Sequence, residues 1–249
     1  MSSSTASDSA DRIDRVYTRC VVFPEQLEPD ANGLAFVGAD FAQPTIVEAY
    51  RRGLFPWRGG PEIPWYCPDP RAIVRAGALH VTHSLAKRAR NAGLAVAFDH
   101  DFRGTMLRCA TTRRRHEQTT WISPDVIEGY CALHAAHLAH SVEVYLGDEP
   151  VGGLYGLTFG RFFHGESMYH RTRDASKLAL WALSDALAAH GFELIDCQVP
   201  TDHLLRLGAE AWPRARYLAS LTVNASAPSL HETWRSWRAD CLPQWALTP

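Results

Sequence analysis

The chain has 249 residues, long enough for one large domain or two modest ones around a substantial buried core. Hydrophobic residues at 46% and charged residues at 21% describe an ordinary soluble globular protein, and a net charge of −2 excludes a global field that gathers nucleic acid. Any RNA contact must therefore rest on local patches.

The first dozen residues are rich in Ser, Ala and Asp, with no basic start and no apolar run. They read as a disordered tail, placed at residues 1–15, and not as a signal peptide. A small α/β domain is expected over 16–71. Pro and Gly punctuate Phe23 to Gly38, and Thr45 is a candidate cap for a helix through Arg52, because Ile46, Val47 and Tyr50 recur at helical spacing. Gly53 to Pro61 reads as loop. Prolines fix backbone angles, so Trp57, Trp65 and Tyr66 are either presented rigidly or pack a small core. From residue 72 the pattern becomes more regular, and a second domain is expected over 72–225.

Ser84 to Asn91 reads as a short helix carrying Lys87, Arg88 and Arg90, and Arg113-Arg114-Arg115 precedes Trp121. Charge runs are usually solvated faces, but two of them flanking aromatic residues suit an RNA strand, whose phosphates want cations and whose bases want flat rings. Asp125 to Ala139 reads as a helix with Ser123 as cap and Pro124 at its first position. Its His134, His137 and His140 wind around the helix at intervals of three with no carboxylate to complete a ligand set, so no metal is expected. The six cysteines, at 20, 67, 109, 131, 197 and 241, form no close pair, which argues for a reducing compartment.

Ser141 to Leu146 alternates as a strand, Val151 to Phe159 follows as a Gly-rich strand and Phe162 to Tyr169 as a third, and they are joined so briefly that an antiparallel meander is expected. Gly152, Gly153 and Gly156 sit mid-strand, which points to close approach by a ligand or another backbone, or to a bulge. Asp174 is a candidate cap for a helix over Ala175 to His190, with Leu180, Leu183 and Leu187 on one face and Gly191 as the stop. This longest apolar stretch is too short to span a bilayer. A brief strand follows, on which Asp196 and Gln198 should share one face while Ile195, Cys197 and Val199 share the other. A buried carboxylate beside an amide either ties strands together or serves a ligand. Residues 226–249 form an extension, with a helix over Ser229 to Asp240 bearing Trp234 and Trp237, expected to pack on the surface.

Val151-Gly-Gly-Leu-Tyr-Gly156, Gly165-Glu-Ser-Met168, Asp174-Ala-Ser-Lys177, Leu194-Ile-Asp-Cys-Gln198 and Leu207-Gly-Ala-Glu210 together resemble the leucyl/phenylalanyl-tRNA–protein transferase family. Ala49 to Trp57, Cys67-Pro-Asp-Pro-Arg71 and Trp121-Ile-Ser123 fit the same pattern, so the resemblance runs from about Phe23 to Leu221 without a large gap. It implies an α+β fold, with a small N-terminal domain before an acyl-CoA N-acyltransferase-like (GNAT-like) domain whose sheet is mixed and mainly antiparallel. It implies transfer of Leu or Phe, and also Met, from aminoacyl-tRNA to the N-terminal Arg or Lys of an acceptor protein, which marks that protein for degradation. The expected setting is cytoplasmic, the expected state monomeric, and no cofactor, metal or membrane is called for.

By the same resemblance Asp196 and Gln198 form the catalytic pair, in which orientation of the incoming amine is a sounder role for an amide than general base. Glu166 engages an amino group, of the aminoacyl moiety or of the acceptor. Phe163, Met168 and Ile195, with Leu154, are expected to line the side-chain pocket beside Gly165. Trp57 and Trp121, with Tyr50 and Tyr130, frame the terminal adenosine, and Lys87, Arg88 and Arg90 hold the acceptor stem. The chain departs from the family pattern at Ala39, where Gly is usual, and at Thr119, Tyr169 and His170. Tyr169 and Thr119 are expected to narrow the pocket or shift the Trp121 loop. Two other classes compete. An acyl-CoA-dependent acyltransferase is disfavoured because the link His170 to Ser176 lacks the glycines of a pyrophosphate loop. A tRNA-binding module without catalysis would need the basic runs and tryptophans but no Asp196/Gln198 pair.

Overall fold

The computed structural model describes residues 23–57, 62–112, 120–225 and 234–237. Before residue 70 the elements are β1 (Leu34–Val37), α1 (Gln43–Arg51), β2 (Phe55–Pro56) and β3 (Pro64–Tyr66). The strands make a small antiparallel sheet in the order β1-β3-β2, so part of the segment expected as loop pairs as a strand. Thr45 lies inside α1 and is not its cap: its hydroxyl turns back to Asp40 at 2.5 Å, and Ala42 occupies the cap position.

The chain continues through β4 (Arg71–Arg75), α2 (His83–Asn91), β5 (Leu94–Phe98), α3 (Phe102–Thr111) and α4 (Pro124–Ala135). Then come β6 (Ala139–Leu146), β7 (Glu149–Phe159), β8 (Phe162–His170), α5 (Ala175–Ala189) and β9 (Leu194–Asp196). The last elements are α6 (Asp202–Arg206), β10 (Glu210–Trp212), α7 (Arg214–Ala225) and a 3-10 turn, Trp234–Ser236. The expected meander is present as β6-β7-β8, extended by β5 on one side. On the other side β9 runs parallel to β8, and β4 and β10 complete a seven-stranded sheet in the order β10-β4-β9-β8-β7-β6-β5. A parallel pair needs a crossover, and α5 supplies it between β8 and β9. The fold is α+β with a mixed, mainly antiparallel sheet, as expected.

The sheet buries both faces. Leu178, Leu183 and Leu187 of α5 pack on one face with Leu154, Phe163 and Ile195. On the other, α1, α3 and α4 pack with Tyr155, Leu157, Phe159 and Tyr169, and this core also takes in Phe55 and Trp65 of the small sheet. Both readings of the strand glycines hold. A Cβ on Gly152 would stand 2.5 Å from that of Ala175, and one on Gly156 would stand 2.2 Å from the His164 carbonyl, at a bulge beside Tyr155.

Several local expectations are overturned. Asp174 does hold the cap position of α5, but in a left-handed conformation, φ 66°, and its side chain makes no capping bond; its carboxylate faces Lys177 and Arg88 instead. Ser123 does cap α4, but that helix ends at Ala135 because His137 turns left-handed, φ 59°. His140 is therefore a strand residue, and the three histidines do not share a helix. His140 meets Asp99 at 2.8 Å near His134, but its other nitrogen faces the His137 carbonyl, and His134 Nδ1 meets the Ala139 carbonyl. Asp99, His134 and His140 each bring one ligand atom within 4.8 Å of the others, so a carboxylate does stand beside two of the histidines, against the expectation that none would complete the set.

The C-terminal tryptophans are interior, not superficial. Trp234 is fully buried, stacked on His140 at 4.0 Å and on Trp237 at 4.3 Å, with Phe163 at 5.8 Å. The rest of the helix expected at 229–240, apart from residues 234–237, lies outside the described residues, as do Trp245, Thr119 and Arg113 to Arg115.

Candidate active site

Asp196 ends β9, in register with Ile73 of β4 and His164 of β8, at the centre of the sheet. No part of it reaches solvent. Arg71 donates Nε to Oδ1 at 2.8 Å and Nη2 to Oδ2 at 2.7 Å, a bidentate pair with both side chains wholly buried. Tyr217 donates its hydroxyl to Oδ2 at 2.9 Å, and His164 Nδ1 meets the same oxygen at 3.0 Å. Burial is the largest single influence and works against the charge, but Arg71 and His164 together outweigh it and hold Asp196 well below the usual carboxylate range. Arg71 in turn stays cationic despite burial because Asp196 faces it. A carboxylate this fully engaged has no lone pair to offer a substrate.

Strict alternation would put Gln198 on the Asp196 face. Instead β9 stops at Asp196, and Gln198 takes a left-handed backbone, φ 66°. Such a conformation costs a non-glycine residue about 1–2 kcal/mol and persists only where its surroundings hold it. Two bonds do so: Gln198 N donates to Asp196 Oδ1 at 2.9 Å, and Ala72 N donates to the Gln198 carbonyl at 3.0 Å. The twist turns the Gln198 side chain into the same cavity that Ile195 and Cys197 line. Asp196 thus touches Gln198 through its main chain, not through its amide.

The Gln198 amide nitrogen donates to Glu166 Oε1 at 3.3 Å. That orients the amide, leaving its oxygen to accept from whatever enters the cavity. Behind Glu166, Tyr50 of α1 donates a very short hydrogen bond to Oε1, and Tyr130 of α4 donates to Oε2 at 3.1 Å. The two hydroxyls lie 3.0 Å apart. Burial pushes Glu166 up to about 8, against the pull of both tyrosines. Tyr50 and Tyr130 are themselves fully buried, so they act beneath Glu166 and present no face to an adenosine.

The cavity holds about 300 Å³. Phe163, Met168, Ile195 and Leu154 form apolar walls, Gly165, Glu166 and Gln198 a polar end, and Thr201, His203 and Leu204 also line it. This size suits one branched or aromatic side chain. Cys197 is the one thiol on its wall, and burial, then Asp196, pushes it up to about 12. It stays a neutral thiol and is no nucleophile at neutral pH. Tyr169 does not line the cavity; it points to the opposite face of β8, so it cannot narrow the pocket.

Trp57 packs edge-on against Tyr66 at 5.9 Å, and Trp121 lies 6.5 Å from Tyr130, both half-buried at the margin of the second core. Lys87 and Arg90 are exposed on α2, while Arg88 pairs with Asp174 at 3.2 Å. Arg71, Tyr217 and His164 were not anticipated as site residues. The signal was present for one of them: Arg71 is a lone cation heading the apolar run Ala72-Ile73-Val74, and a charge on a buried strand demands a partner.

Residues 73–222 match the family model described as leucyl/phenylalanyl-tRNA protein transferase, and residues 39–69 match that of its N-terminal domain. The leucyl/phenylalanyl-tRNA–protein transferase of Chromohalobacter salexigens is 48% identical over 208 residues, covering 83% of this chain and 80% of its own. That of Pseudomonas putida is 44% identical over 219 residues, covering 87% and 96%. Among solved structures, a GCN5-related N-acetyltransferase from Kribbella flavida overlays with a TM-score of 0.37 and 16% identity, over 58% of this chain and 55% of that one. That overlay is too slight to carry an argument.

Proposed function

The chain belongs to the leucyl/phenylalanyl-tRNA–protein transferase family, and from that premise we propose that it transfers leucine or phenylalanine from tRNA to the N-terminal amine of an acceptor protein. We further propose that the acceptor begins with Arg or Lys, that Met is also transferred, and that the enzyme acts as a cytoplasmic monomer. Among the described residues no helix is long and apolar enough to cross a membrane.

The observation that carries this reading is Gln198, held in a strained backbone so that its amide faces an apolar cavity with Glu166 at the polar end. The reaction is aminolysis of an ester. The neutral acceptor amine attacks the carbonyl carbon, a C–N bond forms, the bond to the ribose oxygen breaks, and the amine proton ends on that oxygen. Gln198 Oε1 accepts a hydrogen bond from the amine and aims its lone pair; it takes no proton. Positioning of this kind lowers such a barrier by roughly 7–11 kcal/mol. Glu166 receives the ammonium of the aminoacyl group, whose positive charge favours the ionised carboxyl that burial otherwise opposes. Phe163, Met168, Ile195 and Leu154 enclose the donor side chain; one methylene is worth about 1–3 kcal/mol in such a pocket, which is why Met is expected to pass. Trp57 and Trp121 hold the terminal adenosine, and Lys87, Arg88 and Arg90 hold the acceptor stem.

The test is purified protein with leucyl-tRNA and a peptide beginning with Arg, read by peptide mass, beside phenylalanyl-tRNA and a peptide beginning with Ala. The expected result is a one-leucine gain on the Arg peptide alone, lost in Gln198→Ala. Intact tRNA binding without any gain from either donor would move the reading to a non-catalytic tRNA-binding module.

A further inference from the structure

We propose that the cations gathered around the start of α5 form a phosphodiester track, which leads the single-stranded 3′ end of the tRNA from α2 to the cavity mouth. The proposal rests on the transferase reading. Arg88, Arg173 and Lys177 converge on the single carboxylate of Asp174, at 3.2, 3.6 and 2.8 Å. One acid among three bases leaves a surplus of positive charge, and the Arg173 side chain is 80% exposed. The Asp174 side chain makes no capping bond to α5, so its charge is spent on this cluster. His203 lines the cavity from α6, the short helix whose last residue is Arg206, and the charges of Lys177, Arg206 and His170 act on its imidazole. Burial first, and then these neighbouring charges, hold His203 below the usual histidine range. Arg206 is exposed.

The row therefore runs from Lys87 and Arg90 on α2, through Arg88, Arg173 and Lys177, to Arg206 on α6, three residues beyond the cavity-lining His203. Among the described residues Asp174 is the one carboxylate these three cations pair with, so Arg88, Arg173 and Lys177 keep a surplus of two on a chain whose net charge is −2. A polyanion laid along it reaches the cavity at one end and the basic helix at the other. An acceptor with a cationic N-terminus would be repelled by the same row, which leaves the RNA strand as the occupant.

The experiment pairs Arg173→Gln/Arg206→Gln with two donors, leucyl-tRNA and 3′-leucyl-adenosine, the second having no phosphodiester. Binding of uncharged tRNA is titrated against salt alongside. For two lost contacts to single-stranded phosphates, the slope of log affinity against log salt should fall by about 1.4. KM for leucyl-tRNA should rise at least several-fold, while kcat and KM for leucyl-adenosine stay as in the wild type. Arg173→Lys/Arg206→Lys should keep the slope, and an unchanged Tm certifies the fold. An unchanged slope overturns the track, as does equal loss with both donors, which would make these arginines part of the pocket's support. Normal tRNA binding with a raised KM only for a folded protein acceptor would assign the row to acidic acceptor surfaces instead. Altered slope with no transfer by the wild type from either donor would leave the track standing and sink the transferase reading alone.

Discussion

Replacing Asp196 with Asn separates anchoring from chemistry. The substitution keeps shape but removes the charge facing Arg71, and both side chains are wholly buried. Asp196 accepts from Arg71, Tyr217 and the Gln198 main chain, with His164 beside it. An amide offers one accepting oxygen to that set and turns an NH2 toward the remaining donors. Breaking one partner of a buried pair costs about 3–5 kcal/mol, because the other charge is left stranded. In a chain of this length each kcal/mol moves Tm by about 2–4 °C, so Asp196→Asn should melt roughly 6–20 °C early. Total stability is typically about 5–15 kcal/mol, so the folded form should still be measurable at low temperature. There, kcat should fall because the strained Gln198 backbone has lost an anchor. Gln198→Ala should do the reverse, leaving Tm nearly unchanged and abolishing transfer. Adding Arg71→Met to Asp196→Asn removes the stranded charge and should recover part of the lost Tm. An Asp196→Asn protein that melts within 2 °C of wild type (roughly 1 kcal/mol or less by the same scaling) would refute the anchoring argument.

Glu166 predicts a pH dependence. An unfolded carboxyl loses its proton near 4.5 and the folded one near 8, so between those values the unfolded state binds fewer protons and stability falls as pH rises. Glu166→Gln should therefore flatten the urea-midpoint profile between pH 5 and 8 and gain most on wild type at the alkaline end; a parallel profile would show that the carboxyl is already ionised. Trp234→Ala should cost about 3–5 kcal/mol in denaturant unfolding, as a core residue would, and Trp234→Phe much less; a surface cost near zero would contradict its stacking on His140 and Trp237. Ala39 holds φ 67°, a left-handed position where an L side chain is strained, so Ala39→Gly should stabilise by about 1 kcal/mol after the entropy of glycine is subtracted. A lower midpoint in that variant would mean the Ala39 methyl packs usefully.

What the sequence disclosed and what it hid divide along the range of the interactions involved. The meander and the long helix were legible because period-two alternation and leucines at helical spacing are local signals. The apolar walls at Phe163, Met168 and Ile195 were reachable too, since resemblance and strand position agree on them. The helix ends failed where a single residue turned left-handed: His137 cut α4 short and moved His140 to a strand, and no propensity marks a histidine for that role. The C-terminal tryptophans failed for a different reason, since whether an aromatic packs inside or outside depends on a cavity built by residues far away in the chain. Gln198 combines both difficulties. Alternation put it beside Asp196, and the structure puts it across the strand, in a conformation that its own sequence disfavours. The force that turns it is a carboxylate oxygen on its main-chain nitrogen, and that carboxylate is aimed by an arginine from β4, 125 residues earlier. The site is thus assembled against local preference by a buried charge pair, which is why the charge on an apolar strand at Arg71 was the clue to weigh most heavily.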